Sequence, residues 1–388
     1  KLAGLSLPRQ IAVIAFWPFL EQLLSFFVTS SDLFIATKIG VDAQDTINIS
    51  DGMGAVVFLM WFGFVIQGSI MMGATAIVSR MTGARDYSQA QHGLHQAAML
   101  GLLAGIISCG LLFACSGFLV THVLTMNEAA REYALQYVYV AAFAAPFSGV
   151  VFAVNAALRG SGDTRLPFWI MMNVGILNVI FSVLFVFAEA PLGGWRIGGI
   201  AAGTVCGYGI SMCLLLFIML RRRKKIFAEH PGLSLEELVR EKGEHYAPPL
   251  YLSFSHLRPD MGMQKRILKI GLPQAVEVFG MWGIQMFCLS IISELPITGV
   301  LGVHNIAVRI ESLSFLPGFA IGMAASTLVG QYLGARNALM ARITIWKCMR
   351  YALIFMTGLG VLFCAFPALF MQLSLIHISE PTRLLSIS

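Results

Sequence analysis

Long apolar stretches recur along the chain, separated by shorter polar connections. A helix crosses the hydrocarbon core of a bilayer with about 20 apolar residues, and it satisfies its own backbone polar groups. The pattern therefore predicts an all-α fold, a polytopic bundle of transmembrane helices. Segments of this kind lie near residues 10–37, 53–79, 93–120, 132–157, 166–188, 197–220, 267–293, 308–333 and 346–371.

Basic side chains concentrate in alternate connections between these segments. The connection after the sixth segment carries the run RRRKK (residues 221–225), whereas the odd-numbered connections hold few basic residues, such as Lys38 and Arg131. Because Lys and Arg are retained in the cytoplasm, the N-terminus and the even-numbered connections are predicted to be cytoplasmic, in an inner membrane. The other even-numbered connections hold Arg80 and Arg85, then Arg159 and Arg165, then Arg336, Arg342 and Lys347.

The composition agrees with a membrane protein and argues against other classes. Only 12% of the residues are charged and 57% are hydrophobic, so the charged residues are too few to cover a soluble domain. The net charge of +6 comes from the connections, so it does not indicate nucleic acid as a partner. The seven cysteines are scattered without a CxxC pair, so neither a zinc site nor a disulfide framework is predicted.

An internal repeat divides the chain. The stretch GATAIVSRMTGAR ends at Arg85, and the similar stretch MAASTLVGQYLGAR ends at Arg336. A repeat in one orientation implies an even number of helices in each unit, and the polar linker after the sixth segment favours six. We therefore predict an N-terminal six-helix lobe over 1–220, a cytoplasmic linker over 221–265 and three helices of a second, pseudo-symmetric six-helix lobe over 266–372.

The last residues break this pattern, because the chain reads LSLIHISEPTRLLSIS where a tenth helix would start. The first eleven of these residues can be encoded by a transposase-adapter sequence used in DNA library preparation. We expect residues 373–388 to be a non-native tail that replaces helices 10–12. Finding the same tail at the genomic locus would refute this expectation.

The chain lacks the motifs of several enzymatic and ATP-driven classes. It contains no GxxxxGK[ST] phosphate-binding loop, so ATP is not predicted as an energy source within it. Paired Asp-rich motifs for prenyl transfer and a His–Asp set for acyl transfer are also absent. The protein is predicted not to be an enzyme and to use no cofactor other than a coupling ion.

Three motifs in order carry a family resemblance: ALRGSGDTRLP (157–167), GLPQAVE (271–277) and VHNIAVRIESLSFLPGFAIGMAASTLVGQYLGAR (303–336). Together they resemble the MATE (multidrug and toxic compound extrusion) family over residues 10–372. The resemblance implies twelve helices in two lobes and export of amphipathic, often cationic, compounds in exchange for H⁺ or Na⁺. We expect a monomer in a lipid bilayer that handles a small amphipathic molecule.

An ionisable side chain inside a bilayer costs about 2.5–3.5 kcal/mol and so needs a reason. Asp32 lies toward the outer end of the first segment, where it is either a buried cation-coupling acid or an interfacial acid solvated at the outer leaflet. The resemblance adds Asn178 and Thr204, which could hold Na⁺ together with Asp32. Asn178 could instead make only an interhelical hydrogen bond. Ser182 stands where the family has a second acid, so the choice between H⁺ and Na⁺ stays open.

Two further acids follow prolines at corresponding places, Glu21 after Pro18 and Glu277 after Pro273. Glu277 resembles a cation-coupling position in the second lobe of some relatives. Each of the two acids could instead be an ordinary acid near the cytoplasmic start of a helix. His92 and His95 have no third ligand and are interpreted as part of an interfacial helix start.

The pattern leaves two transport functions open, and it does not identify the substrate-binding residues. The first is a cation-coupled drug antiporter that rocks two lobes around a central cavity. The second is a lipid-linked oligosaccharide flippase of the same superfamily, which would need a basic cavity for pyrophosphate. The near absence of Arg and Lys in the middle of the segments of the first lobe argues against the flippase.

Overall fold

The computed structural model describes residues 4–366, except 125, 190, 231–232, 234, 244–245, 254–257 and 298–299. All the regular secondary structure in this part of the chain is helical, which confirms the predicted all-α bundle. A π-helical turn, Leu119–Val123, continues the third helix. The helices are α1 (Leu7–Thr37), α2 (Ala43–Gly83), α3 (Tyr87–Phe118), α4 (Glu128–Ala141), α5 (Ala145–Gly160), α6 (Arg165–Phe187), α7 (Arg196–Glu229), α8 (Leu235–Lys242), α9 (Met261–Ser293), α10 (Val300–Gly334) and α11 (Ala338–Ala365).

Nine spans in the described part of the chain are long and apolar enough to cross a membrane, at the nine places that the sequence predicts. The fourth consists of α4 and α5, joined by a short 3₁₀ turn just before Pro146. Several helices extend past the predicted apolar segments. For example, α2 begins ten residues early, because Asp42 Oδ1 accepts a hydrogen bond from the backbone N–H of Asp45 at 2.7 Å and caps the helix.

We call α1–α7 the first lobe and α9–α11 the second lobe. The end of the bundle at which α2 and α10 finish is called the basic end, because it carries Arg80, Arg85, Arg159 and Arg336. The opposite end, at which α2 begins with Asp42, is called the acidic end. The division between lobes at the linker and the non-native tail stay predictions, and residues 367–388 lie outside the described residues.

The internal repeat is visible in the backbone. Arg85 and Arg336, the last residues of the two similar stretches, both adopt left-handed conformations, with φ of 61° and 57°. The contacts between α2 and α10 are also reciprocal. A Cβ on Gly83 would lie 2.0 Å from the carbonyl oxygen of Gln331, and a Cβ on Gly334 would lie 2.0 Å from that of Arg80. The two helices therefore cross tightly at the basic end about a local pseudo-twofold axis.

The linker is held by the start of α3. The Tyr251 and Ser253 backbone N–H groups donate to Gln91 Oε1 at 3.1 Å and to His95 Nε2 at 2.9 Å. His92 Nε2 lies 2.8 Å from Asp260 Oδ2, and this contact lowers the pKa of Asp260, the N-cap of α9. The two histidines therefore attach the linker to α3, a role that the interpretation as an interfacial helix start did not include.

Candidate cation-coupling site

Asp32 is buried inside the first lobe, with 7% of its surface exposed. One turn earlier on α1, Val28 packs on Gly175 of α6, where an added Cβ would lie 2.7 Å from Val28 Cγ2. The first and fifth spans run in the same direction. Asp32 therefore lies at about the same depth as Asn178, which is one turn beyond Gly175. The burial of Asp32 disagrees with the alternative of an acid solvated at the bilayer surface.

Asn178, Ser182 and Thr204 lie together between α6 and α7. Asn178 Nδ2 donates to Thr204 Oγ1 at 2.8 Å. The hydroxyl groups of Ser182 and Thr204 both donate to the carbonyl oxygen of Ile200, at 3.3 and 3.4 Å. Ile200 also belongs to the buried apolar cluster that contains Leu33, the residue after Asp32. The four predicted residues of the first lobe thus lie on α1, α6 and α7, three helices that contact one another.

Two glycines of α7 bring these polar side chains close. A Cβ on Gly203 would lie 2.7 Å from the backbone nitrogen of Ser182 and 2.9 Å from the carbonyl oxygen of Asn178. A Cβ on Gly207 would lie 2.9 Å from the carbonyl oxygen of Val174. Small residues of this kind let transmembrane helices approach each other through their backbones. The glycine spacing on α7 therefore positions the amide of Asn178 against Thr204.

One acceptor in this region has no partner among the described residues. Asn178 is 3% exposed, and its Oδ1 is buried without a hydrogen bond. A buried polar atom left in this state costs about 1–3 kcal/mol. The unused oxygen, the hydroxyl groups and the Asp32 carboxyl group are hard oxygen ligands, which suit a small cation. The same carboxyl group could instead hold a proton, as acids inside membrane transporters do.

A further polar residue in the first lobe was missed by the reasoning from sequence. Asn155 on α5 is fully buried, and neither atom of its amide group has a hydrogen-bond partner among the described residues. It lies one turn before Arg159. The signal available in the sequence was an amide within the apolar run AVNAAL.

The two acids that follow prolines have different surroundings. Glu21 on α1 is buried and forms an ion pair with Arg159, so it is not an exposed acid at the start of a helix. Glu277 on α9 is exposed, and α9 packs mainly on α2. The structure therefore does not bring Glu277 together with Asp32, Asn178, Ser182 and Thr204.

Comparisons with known proteins agree with this architecture. A family model described as MatE matches residues 51–184 and 273–383. The chain is 26% identical over 319 residues to a probable multidrug resistance protein NorM of Thermotoga maritima, covering 81% of this chain and 62% of the relative. It is 21% identical over 364 residues to an FAD transporter of Shewanella oneidensis, covering 93% of this chain and 71% of the relative.

A solved structure of the MATE multidrug transporter DinF-BH has the same fold. It superposes with a TM-score of 0.78 at 20% sequence identity, covering 96% of this chain and 76% of that chain. The chain spans a little over three fifths of the length of NorM from Thermotoga maritima.

Proposed function

This chain belongs to the MatE family of multi-pass membrane transporters, and we propose that it is a secondary active antiporter. It exports amphipathic or cationic drugs and toxic compounds in exchange for H⁺ or Na⁺. The observation that carries the proposal is the buried carboxyl group of Asp32, which lies in the same region as Asn178, Ser182 and Thr204.

The site can couple ion binding to movement because its net charge changes with occupancy. An ionised Asp32 inside the bundle is costly, by about 2.5–3.5 kcal/mol at the bilayer centre. Binding of H⁺ or Na⁺ neutralises it, which favours close packing of α1 on α6 and α7. A ligand shifts a conformational equilibrium by its difference in affinity for the two states. Binding of the ion and binding of the exported compound then favour opposite arrangements of the two lobes.

The proposal includes an orientation. Arg80, Arg85, Arg159 and Arg336 lie at the basic end, and this end faces the cytoplasm of the cell that carries the protein in its inner membrane. Asp32 then lies toward the opposite side, within reach of external H⁺ or Na⁺. The protein works as a monomer in this proposal, with both lobes supplied by one chain.

The alternative, a flippase for lipid-linked oligosaccharides, needs free cations inside the bundle to bind pyrophosphate. Among the described side chains, Arg159 is the one buried Arg or Lys, and it is paired with Glu21. Asp32 adds a negative charge to the same lobe. This charge distribution favours a cationic substrate over an anionic one.

Dye efflux from vesicles that contain the complete protein tests the proposal. A sodium gradient and a pH gradient are imposed separately, with ethidium as the dye and FAD as a second substrate. We expect one gradient to drive ethidium efflux, Asp32→Asn to abolish it, and Glu132→Gln, a change at an exposed acid on α4, to leave it unchanged. Folded protein that shows no gradient-driven efflux of ethidium would contradict the proposal, and efflux of FAD alone would change the substrate class.

A further inference from the structure

The most buried ion pair of the described residues joins α1 to α5. Arg159 Nη1 donates to both Oε1 and Oε2 of Glu21, each at 3.1 Å, and the two side chains are 5% and 9% exposed. Removing one partner of such a pair leaves an uncompensated buried charge, which is strongly destabilising. Glu21 therefore fixes the position of Arg159 relative to α1.

The backbone at Arg159 contacts the second lobe. Thr327 Oγ1 of α10 donates to the carbonyl oxygen of Arg159 at 3.2 Å, and Gln331 Nε2 donates to that of Gly160 at 3.0 Å. These bonds lie beside the α2–α10 crossing, where a Cβ on Gly330 would lie 2.7 Å from Ser79 Cβ. Arg159 thus connects α1 through its side chain and α10 through its carbonyl group.

The helix that carries Glu21 also carries Asp32. The two residues are eleven positions apart on α1, which corresponds to about 16 Å along a helix. The same helix contacts α10 at the basic end, because Tyr332 Oη donates to Gln10 Oε1 at 2.7 Å. A displacement of α1 at Glu21 is therefore transmitted along the helix toward Asp32.

We propose that Glu21 and Arg159 are a positioning pair that couples closure of the basic end to the helix carrying Asp32. The inference rests on the proposed function, because a transporter with alternating access must separate α2 from α10 at this end. Separation removes the bonds from Thr327 and Gln331, hydrates Arg159 and releases α1. With Glu21 neutralised, the buried Arg159 favours this hydrated, open arrangement.

Reactivity of a cysteine at the α2–α10 crossing tests the proposal. Ser79 is fully buried there, so a Ser79→Cys thiol reacts with N-ethylmaleimide only when the helices separate. The seven native cysteines are first replaced by Ala. We expect Glu21→Gln and Arg159→Gln each to increase the labelling rate about tenfold or more. Glu21→Gln leaves the charge of Arg159 buried without a partner, and Arg159→Gln leaves that of Glu21.

A matched control is available at the same end. Arg222→Gln breaks the ion pair between Arg222 and Asp163, which joins α7 to the α5–α6 connection and does not involve α10. We expect this variant to label as slowly as the parent. Exchange of the charges, Glu21→Arg with Arg159→Glu, should return labelling toward the parent rate, which a general loss of packing would not do.

Unchanged labelling in both Glu21→Gln and Arg159→Gln would overturn the proposal. If these two variants do not accumulate in the membrane, Thr327→Val decides, because it removes the bond to the Arg159 carbonyl group and keeps the ion pair. Faster labelling of Thr327→Val supports the coupling, and an unchanged rate contradicts it. The measurement needs no substrate, so a failure of ethidium efflux would not affect its outcome.

Discussion

Replacing Gly203 by Ala probes the α6–α7 contact that positions the candidate cation site. A Cβ at this position would lie 2.7 Å from the backbone nitrogen of Ser182, whereas ordinary van der Waals contact begins at 3.4 Å. The two helices must therefore separate locally by up to about 0.7 Å, since backbone atoms cannot rotate away as a side chain can. The same Cβ would meet Ser182 Oγ and disturb its bond to the carbonyl group of Ile200.

The expected cost follows from these contacts. Overpacking of a well-packed interior costs about 1–3 kcal/mol. Gly198, also on α7, is the matched control, because a Cβ there meets no atom within 4 Å. Gly198→Ala should be neutral or stabilising by up to about 1 kcal/mol, since Ala is the better helix former. Because this gain applies at both positions, Gly203→Ala should be less stable than Gly198→Ala by about 1–3 kcal/mol.

The assay is unfolding of each purified variant in mixed micelles with increasing SDS, followed by far-UV circular dichroism. A second measurement is gradient-driven efflux at a temperature at which all the variants remain folded. We expect Gly203→Ala to lower both stability and efflux, because the Asn178–Thr204 contact is disturbed. Equal stability of Gly203→Ala and Gly198→Ala would refute the reasoning about close packing at the site.

Two further predictions concern the basic end of the bundle. Gly83→Ala and Gly334→Ala each place a Cβ 2.0 Å from a carbonyl oxygen of the other helix. Both should increase labelling of the Ser79→Cys thiol at the α2–α10 crossing to a similar extent. A large difference between them would contradict the local pseudo-twofold contact. His92→Ala should raise the pKa of Asp260 toward its ordinary value and speed hydrogen exchange in the linker. Because the folded-state pKa of Asp260 is lowered, the stabilisation from this carboxylate is present above its ordinary pKa and is lost as the pH falls below that value. Hydrogen exchange in the linker that is as slow in His92→Ala as in the parent would contradict the role of His92 in attaching the linker to α3.

The spans could be predicted from sequence because each depends on a local apolar run, whereas the helix ends depend on other features. The start of α2 is determined by a cap at Asp42, and α7 continues past residue 220 through the RRRKK run. A charged run marks the membrane boundary but does not stop a helix. Several predicted apolar segments, such as those in α2 and α7, are therefore shorter than the helices that contain them.

The candidate site could be predicted only in part. Asp32 was named as an ionisable residue inside an apolar segment, and Asn178, Ser182 and Thr204 were named from the resemblance. The structure joins Asn178 to Thr204 by a hydrogen bond and places Ser182 beside them. Their role in cation coupling stays a prediction. The site depends on Gly203 and Gly207 as well, and their close approach to α6 is not visible in a single sequence.

Partners that are distant along the chain explain most of what sequence reasoning left open. Glu21 had two interpretations because its partner, Arg159, is 138 positions away. His92 was interpreted without its contact to Asp260, which is 168 positions away. No local pattern encodes such pairs, so only the packing of the helices shows them.

Cation binding by the purified complete protein tests whether Asp32 carries the coupling ion. Calorimetry would measure Na⁺ binding, and a pH-sensitive dye would measure proton release when ethidium binds, in the parent and in Asp32→Asn. We expect the parent either to bind Na⁺ or to release a proton, and Asp32→Asn to do neither. Asp32→Asn that binds Na⁺ as tightly as a Na⁺-binding parent, or releases a proton as fully as a proton-releasing parent, would contradict this expectation.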